Sequence, residues 1–163
     1  MKRWLSSLLL SVSASVHAQS TGIAKAESNR LLNAALPFAE QMLAEHGEFF
    51  PYAQAMDESG KFVAVGASDG RDRPPSKDLI EMLKSGLRSG ASAGMYRVTA
   101  LVYDVRITLP GAGTKSDAIA VSLNHKADYA VLIFIPYRLE GKKVILGEPL
   151  ARNEENYSFM RRQ

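Results

Sequence analysis

ADYAVLIFIPY, residues 127–137, is the stretch whose reading decides the fold. Nine of its eleven residues are apolar or aromatic, and Val131, Ile133, Phe134 and Ile135 favour extended backbone. Apolar side chains fill both alternating sets, Tyr129, Val131, Ile133 and Ile135 against Ala130, Leu132 and Phe134. A strand with that pattern expects cover on both faces, which puts it at the centre of a sheet. Pro136 has no N–H to give a ladder, so pairing is expected to stop beside it.

Working outward, residues 117–126 alternate Ile119, Val121 and Leu123 with Ala118, Ala120, Ser122 and Asn124. That is a strand with one buried face and one smaller, more polar face. Residues 95–109 read as a longer strand. Leu101, Tyr103, Val105, Ile107 and Leu109 share one parity, and Tyr96, Val98, Ala100 and Val102 the other, which turns polar at Asp104, Arg106 and Thr108. On the far side, residues 140–143 make a turn and Val144 begins a last strand. Residues 150–163 read as an irregular end, partly anchored by Tyr157, Phe159 and Met160.

Two helices and a hairpin precede this group. In residues 22–46, Leu32, Ala35, Leu36, Ala39, Met42 and Leu43 recur at spacings of three and four, one apolar stripe along a helix. Pro37 would clash with the carbonyl of Asn33, so a kink or a second helix start is expected there. Residues 48–67 read as a β-hairpin turning at Asp57-Glu58-Ser59-Gly60. Ser76 is placed to cap a second helix whose apolar face is Leu79, Ile80, Met82, Leu83 and Leu87. Its glycine-rich end follows the helix, so it lacks the N-terminal N–H cluster that cradles phosphate.

The element order predicts an α+β domain: a long N-terminal helix, a β-hairpin, a helix, then an antiparallel three- or four-stranded meander, all on one sheet. That order resembles PAS-like and profilin-like domains. The segments HGEFFPYA (46–53), SDAIAV (116–121) and IPY (135–137) also resemble those of a family of small, uncharacterised bacterial α+β domains. The resemblance implies one compact domain and transfers no activity.

Residues 1–18 read as a secretory signal peptide. Lys2 and Arg3 precede a short apolar run, and Val16-His17-Ala18 is a small-residue cleavage site. About 13 apolar residues make a helix of roughly 20 Å, short of a bilayer's ~30 Å hydrocarbon core. Cleavage near Ala18 predicts a periplasmic or secreted protein, and nothing after it reads as a membrane span. The whole chain has 20 Lys and Arg against 17 Asp and Glu; without Lys2 and Arg3 the balance is 18 against 17. So nearly neutral a chain gives no reason to expect a nucleic-acid partner. With no cysteine there are no disulfides and no thiol chemistry. The remaining residues 19–163 read as a single domain, long enough to bury a core unaided.

Catalytic patterns are thin. No HExxH, CxxC pair or G-x-S-x-G elbow occurs, and no cofactor is implied. A metal site would need His46, Glu48 and His125 to converge, and a hydrolase would have to use one of those histidines. Aromatic and arginine side chains are instead concentrated in two segments, Phe50 and Tyr52 in one, Arg71 and Arg73 in the other. Such residues are enriched at interfaces. The expectation is a non-enzymatic exported binding protein that acts by protein–protein contact, as an inhibitor or immunity-type partner, on another exported protein or on itself. The alternative is a small-ligand sensor or carrier with a pocket between the second helix and the sheet, faced by Leu132 and Phe134.

Overall fold

Alternating side chains along three long neighbouring strands create a sheet with two faces that must both be covered. The structure, a computed structural model, describes residues 12–67, 70–72 and 74–160, the first seven through their backbone only. Its elements are α1 (Val12–His46), β1 (Tyr52–Asp57), β2 (Phe62–Val65), α2 (Ser76–Ser92), β3 (Tyr96–Thr108), β4 (Lys115–His125), β5 (Tyr129–Glu140), β6 (Lys143–Leu146) and β7 (Leu150–Asn153). Among the described residues these are two helices and one antiparallel sheet of seven strands, an α+β fold. The strands lie in the order β2-β1-β3-β4-β5-β6, with β7 also paired to β5.

The sheet departs from the sequence reading in instructive ways. The group after α2 has five strands instead of three or four, because residues 150–153 form β7 where an irregular end was expected. β6 and β7 share the outer edge of β5: β6 pairs Tyr137 to Glu140, and β7 pairs Val131 to Phe134. β5 is thus interior but not central; β3 and β4 hold the middle, and β4 is buried without interruption from Ala118 to His125. Pro136 does not end β5. Its carbonyl accepts a hydrogen bond from the Gly147 N–H on the outer edge (2.7 Å), so its missing N–H falls where the chain leaves β6 and no ladder bond is needed. A Cβ on Gly147 would sit 3.3 Å from that of Pro136, close enough that the neighbour would have to give.

α1 lies across one face. Its buried positions are Ala24, Ser28, Leu31, Ala35, Ala39 and Leu43, separated by three or four residues as helix geometry requires. The seam therefore runs through Leu31, and Leu32, Leu36 and Met42 flank it half-buried. Small side chains at four of those six positions bring the helix close to Val98, Ala100, Val102, Ile119, Val121, Leu123, Val131, Ile133 and Ile135. Pro37 is exposed within one continuous helix. Residues 19–23 are exposed as well, so the first buried position of α1 among the described side chains is Ala24.

α2 covers the other face over β1, β2 and β3. Leu83 and Leu87 pack on Ala53 and Leu101, with Val65, Ile80 and Tyr103 around them. Pro75, not Ser76, is the N-cap, and no side chain bonds the free N–H groups there. The helix continues through Ser85-Gly86 and Ser89-Gly90, which read as fraying in the sequence. It ends in a Schellman motif: Gly94 takes φ +72°, the Met95 N–H donates to Gly90 O (2.9 Å) and the Gly94 N–H to Ala91 O (3.0 Å). Gly90 is buried against Tyr96, and a Cβ there would lie 2.1 Å from the ring. A register shift between β1 and β3 at this point turns Tyr96 toward α2, and the next residue, Arg97, reaches Glu27 on α1.

Candidate functional site

The apolar stripe of a helix faces the sheet, so a large aromatic residue off the stripe has to find another use. Phe38 is such a residue, and it remains 45% exposed. Gly47 (φ +74°) turns the chain out of α1, and residues 48–51 then run back toward β1, placing Phe49, Phe50 and Pro51 beside the last turns of the helix. The result is an open groove of about 500 Å³ lined by Phe38, Met42, His46, Glu48, Phe49, Phe50, Pro51 and Tyr52.

Its floor is rigid. The Tyr52 ring meets Phe38 edge-on at 4.9 Å and Phe49 at 6.0 Å between centroids. Its hydroxyl donates to the Ala35 carbonyl at 2.7 Å, tying β1 to the middle of α1. Burial pushes that hydroxyl's pKa above the usual tyrosine range, and the Glu40 carboxylate nearby adds to the effect. Phe49 is buried under the groove, while Phe50 is 47% exposed at its lip. Two half-exposed phenylalanines around an apolar hollow are unlike singly scattered surface residues, which need no explanation.

The groove gathers four of the sequence candidates: Phe50, Tyr52, His46 and Glu48. Phe38 and Met42 join them from α1; the sequence reading left Phe38 aside and assigned Met42 to the apolar stripe of the helix. The one signal available for Phe38 was a phenylalanine beside Pro37 and off the apolar stripe. Arg71 is elsewhere: its guanidinium pairs with Asp78 in the first turn of α2 at 2.8 Å. Arg73 lies outside the described residues.

His125 is also elsewhere, which separates the three residues a metal site would need. It ends β4, and its Nδ1 accepts the Ala127 N–H (2.9 Å). The proton therefore sits on Nε2, which donates to Glu27 Oε2 at 2.8 Å. Glu27 also holds Arg97 at 2.7 Å, so this cluster fastens α1 to β3 and β4. Among the described residues no three His, Asp or Glu side chains are grouped as metal ligands.

Leu132 and Phe134 lie on the face opposite α1, but α2 packs over β1, β2 and β3 and not over β5. Arg152 from β7 stands over the Phe134 ring at 5.0 Å. The space α2 leaves over β4 is closed by the chain after β7. Glu154 accepts hydrogen bonds from Ser122 Oγ and from Asn124 Nδ2, the latter at 3.0 Å. The Ser158 N–H donates to Asn124 Oδ1 (3.0 Å), and Thr99 Oγ1 donates to Ser158 Oγ (2.9 Å). Burial raises the carboxyl of Glu154, with the Ser122 and Asn124 bonds opposing the shift. This second polar cluster is satisfied internally and reads as a structural strap.

Comparison with protein-family models, with curated proteins and with solved structures finds no match for this chain.

Proposed function

We propose that this chain is a non-enzymatic exported binding protein that engages another protein through the groove between α1 and β1. The observation that carries the reading is the pair of half-exposed rings, Phe38 and Phe50, flanking an apolar hollow whose floor is fixed by Tyr52. Aromatic side chains that are preorganised and already partly desolvated are the usual anchors of protein interfaces. An inhibitor or immunity-type role suits such a surface, since it needs only an anchor and a rigid frame.

Export follows from the leader-like residues 1–18, and no helix among the described residues is long and apolar enough to cross a membrane. The likeness of element order to PAS-like and profilin-like domains belongs to the same proposal.

Native mass spectrometry of the protein purified from its own cells tests the reading. A second polypeptide is expected on the parent chain and not on a Phe38→Ser, Phe50→Ser variant that remains folded. A partner retained by the variant would remove the groove from the account. A second reading rests on the groove's volume, which falls within the range of small-ligand pockets. A small non-covalent mass increment lost with Phe50→Ser would favour it.

A further inference from the structure

The charges around the groove are not symmetric. Glu48 lines it, and Glu45 lies in the last turn of α1 beside the lining residue His46. Neither is paired with a lysine or arginine among the described residues. Glu45 accepts a hydrogen bond from Gln41 (3.0 Å) and lies 3.7 Å from His46. Five carboxylates elsewhere are matched to cations, Glu27 with Arg97, Glu58 with Lys126, Asp78 with Arg71, Glu81 with Lys84 and Glu140 with Arg138, while Asp57, Asp104 and Glu154 are held by neutral hydrogen-bond donors.

The helix adds to the same field. The groove sits against the last turns of α1, where unsatisfied carbonyls give the helix end a partial negative charge. Just beyond Gly47 the surface changes sign, with Arg106, Lys115 and Arg138 around a neighbouring hollow of about 370 Å³. There Arg138 is held by Glu140 at 2.9 Å and Arg106 lies 3.9 Å from Asp117, so most of that charge is already answered within the chain. The unanswered charge at the groove is negative.

Taking the groove as a protein-docking site, as proposed above, we infer that the partner segment it takes is an apolar anchor residue flanked by lysine or arginine. The anchor enters between Phe38 and Phe50, and the flanking cations meet Glu45 and Glu48. Apolar burial supplies the affinity, and the carboxylates choose among apolar segments by their flanking charge.

The test is an NMR titration of the isotopically labelled protein with two blocked peptides, Leu-Trp-Leu flanked by lysines and the same core flanked by glutamates. The lysine peptide is expected to move the Phe38, Phe50 and Tyr52 signals and to bind about five-fold more tightly than the glutamate peptide at low salt. That preference should shrink in 0.5 M salt and vanish in a Glu45→Gln, Glu48→Gln variant, with binding of the core retained. Equal binding of both peptides at the groove would overturn the charge selectivity and leave the docking site standing. Binding of neither would remove the docking site itself. Signals that move on dilution of the protein alone would make the occupant a second copy of the chain and overturn the inference.

Discussion

Beneath α1 the sheet presents Val98, Ile119, Val121, Leu123 and Ile133 to a helix seam of Leu31, Ala35, Ala39 and Leu43. On the opposite face, over β4, it presents Ser122 and Asn124 to Glu154, Tyr157 and Ser158. Both regions are closed, but by different forces. The first excludes water from a large apolar area, which is non-directional and accumulates with every methylene. The second depends on a few directional hydrogen bonds, each worth only about 0.5–1.5 kcal/mol net but costly when left half-made. Stability should therefore concentrate under α1, and geometric specificity in the strap.

The largest expected effect is on the first region. Leu31→Ala should cost about 2–5 kcal/mol, because Leu31 is fully buried and the surrounding strands cannot close the cavity. Leu87→Ala, in the smaller cluster under α2, should cost less, because half-buried neighbours such as Ile80 and Tyr103 can settle into the gap. Urea denaturation of both variants measures the difference, and a costlier Leu87→Ala would reverse the comparison.

Gly90→Ala comes next. Helix propensity favours the change by about 1 kcal/mol. The added Cβ nevertheless meets the buried Tyr96 ring, and overpacking of that kind costs about 1–3 kcal/mol. Net destabilisation is expected, and pairing the change with Tyr96→Leu should return most of it.

Asn124→Ala removes the side chain that bonds both Glu154 and the Ser158 N–H. A loss of about 1–3 kcal/mol is expected, since buried groups lose their partners. Hydrogen exchange should quicken in residues 154–160 well before it does in α1. Uniform quickening would mean that the strap is part of the global core.

A smaller effect distinguishes two carboxylates by sign. Burial raises Glu154, so its contribution to stability is complete below about pH 4.3, the ordinary glutamate value, and is lost as pH rises through its folded value. Asp57 is lowered, first by the Ser59 hydroxyl and then by the Lys61 N–H. Its contribution is present above about pH 3.9 and is lost as pH falls through its folded value. Glu154→Gln should therefore gain on the parent chain as pH rises from about 4.3, while Asp57→Asn should fall behind as pH rises through the folded value of Asp57 and lag by a constant amount above about 3.9. Urea midpoints across that range check both, and a pH-independent difference for Glu154→Gln would contradict its burial.

The sequence carried the fold further than the site. Alternation located β4, apolar residues on both parities located β3 and β5, a turn with Gly60 located the hairpin, and spacing of three and four located α2 and the part of α1 from residue 22 onward. β7 was illegible because Leu150-Ala151-Arg152-Asn153 has no apolar pattern; it is a strand because the edge of β5 is open there. Leu31 and Leu32 are equivalent in composition, and only the angle at which α1 meets the sheet decides which is buried. At the site, Phe50 and Tyr52 were legible as interface-type residues in one segment. Phe38 and Met42 join them from an element that the chain folds back upon, a proximity that no local pattern encodes.

The least expected effect on stability belongs to the groove itself. Phe38→Ser with Phe50→Ser should lower unfolding free energy by about 1 kcal/mol, since both rings are already half-exposed. The central claim is that these rings serve a partner, and site-specific photocrosslinking tests it most directly. A benzophenone side chain is placed at Phe50 in producing cells, and in parallel at Phe62, which is similarly exposed on the edge strand β2. A discrete protein adduct from position 50, absent from position 62 and lost when Phe38→Ser is added, is the expected result. No adduct from position 50, or the same adducts from both positions, would contradict the account.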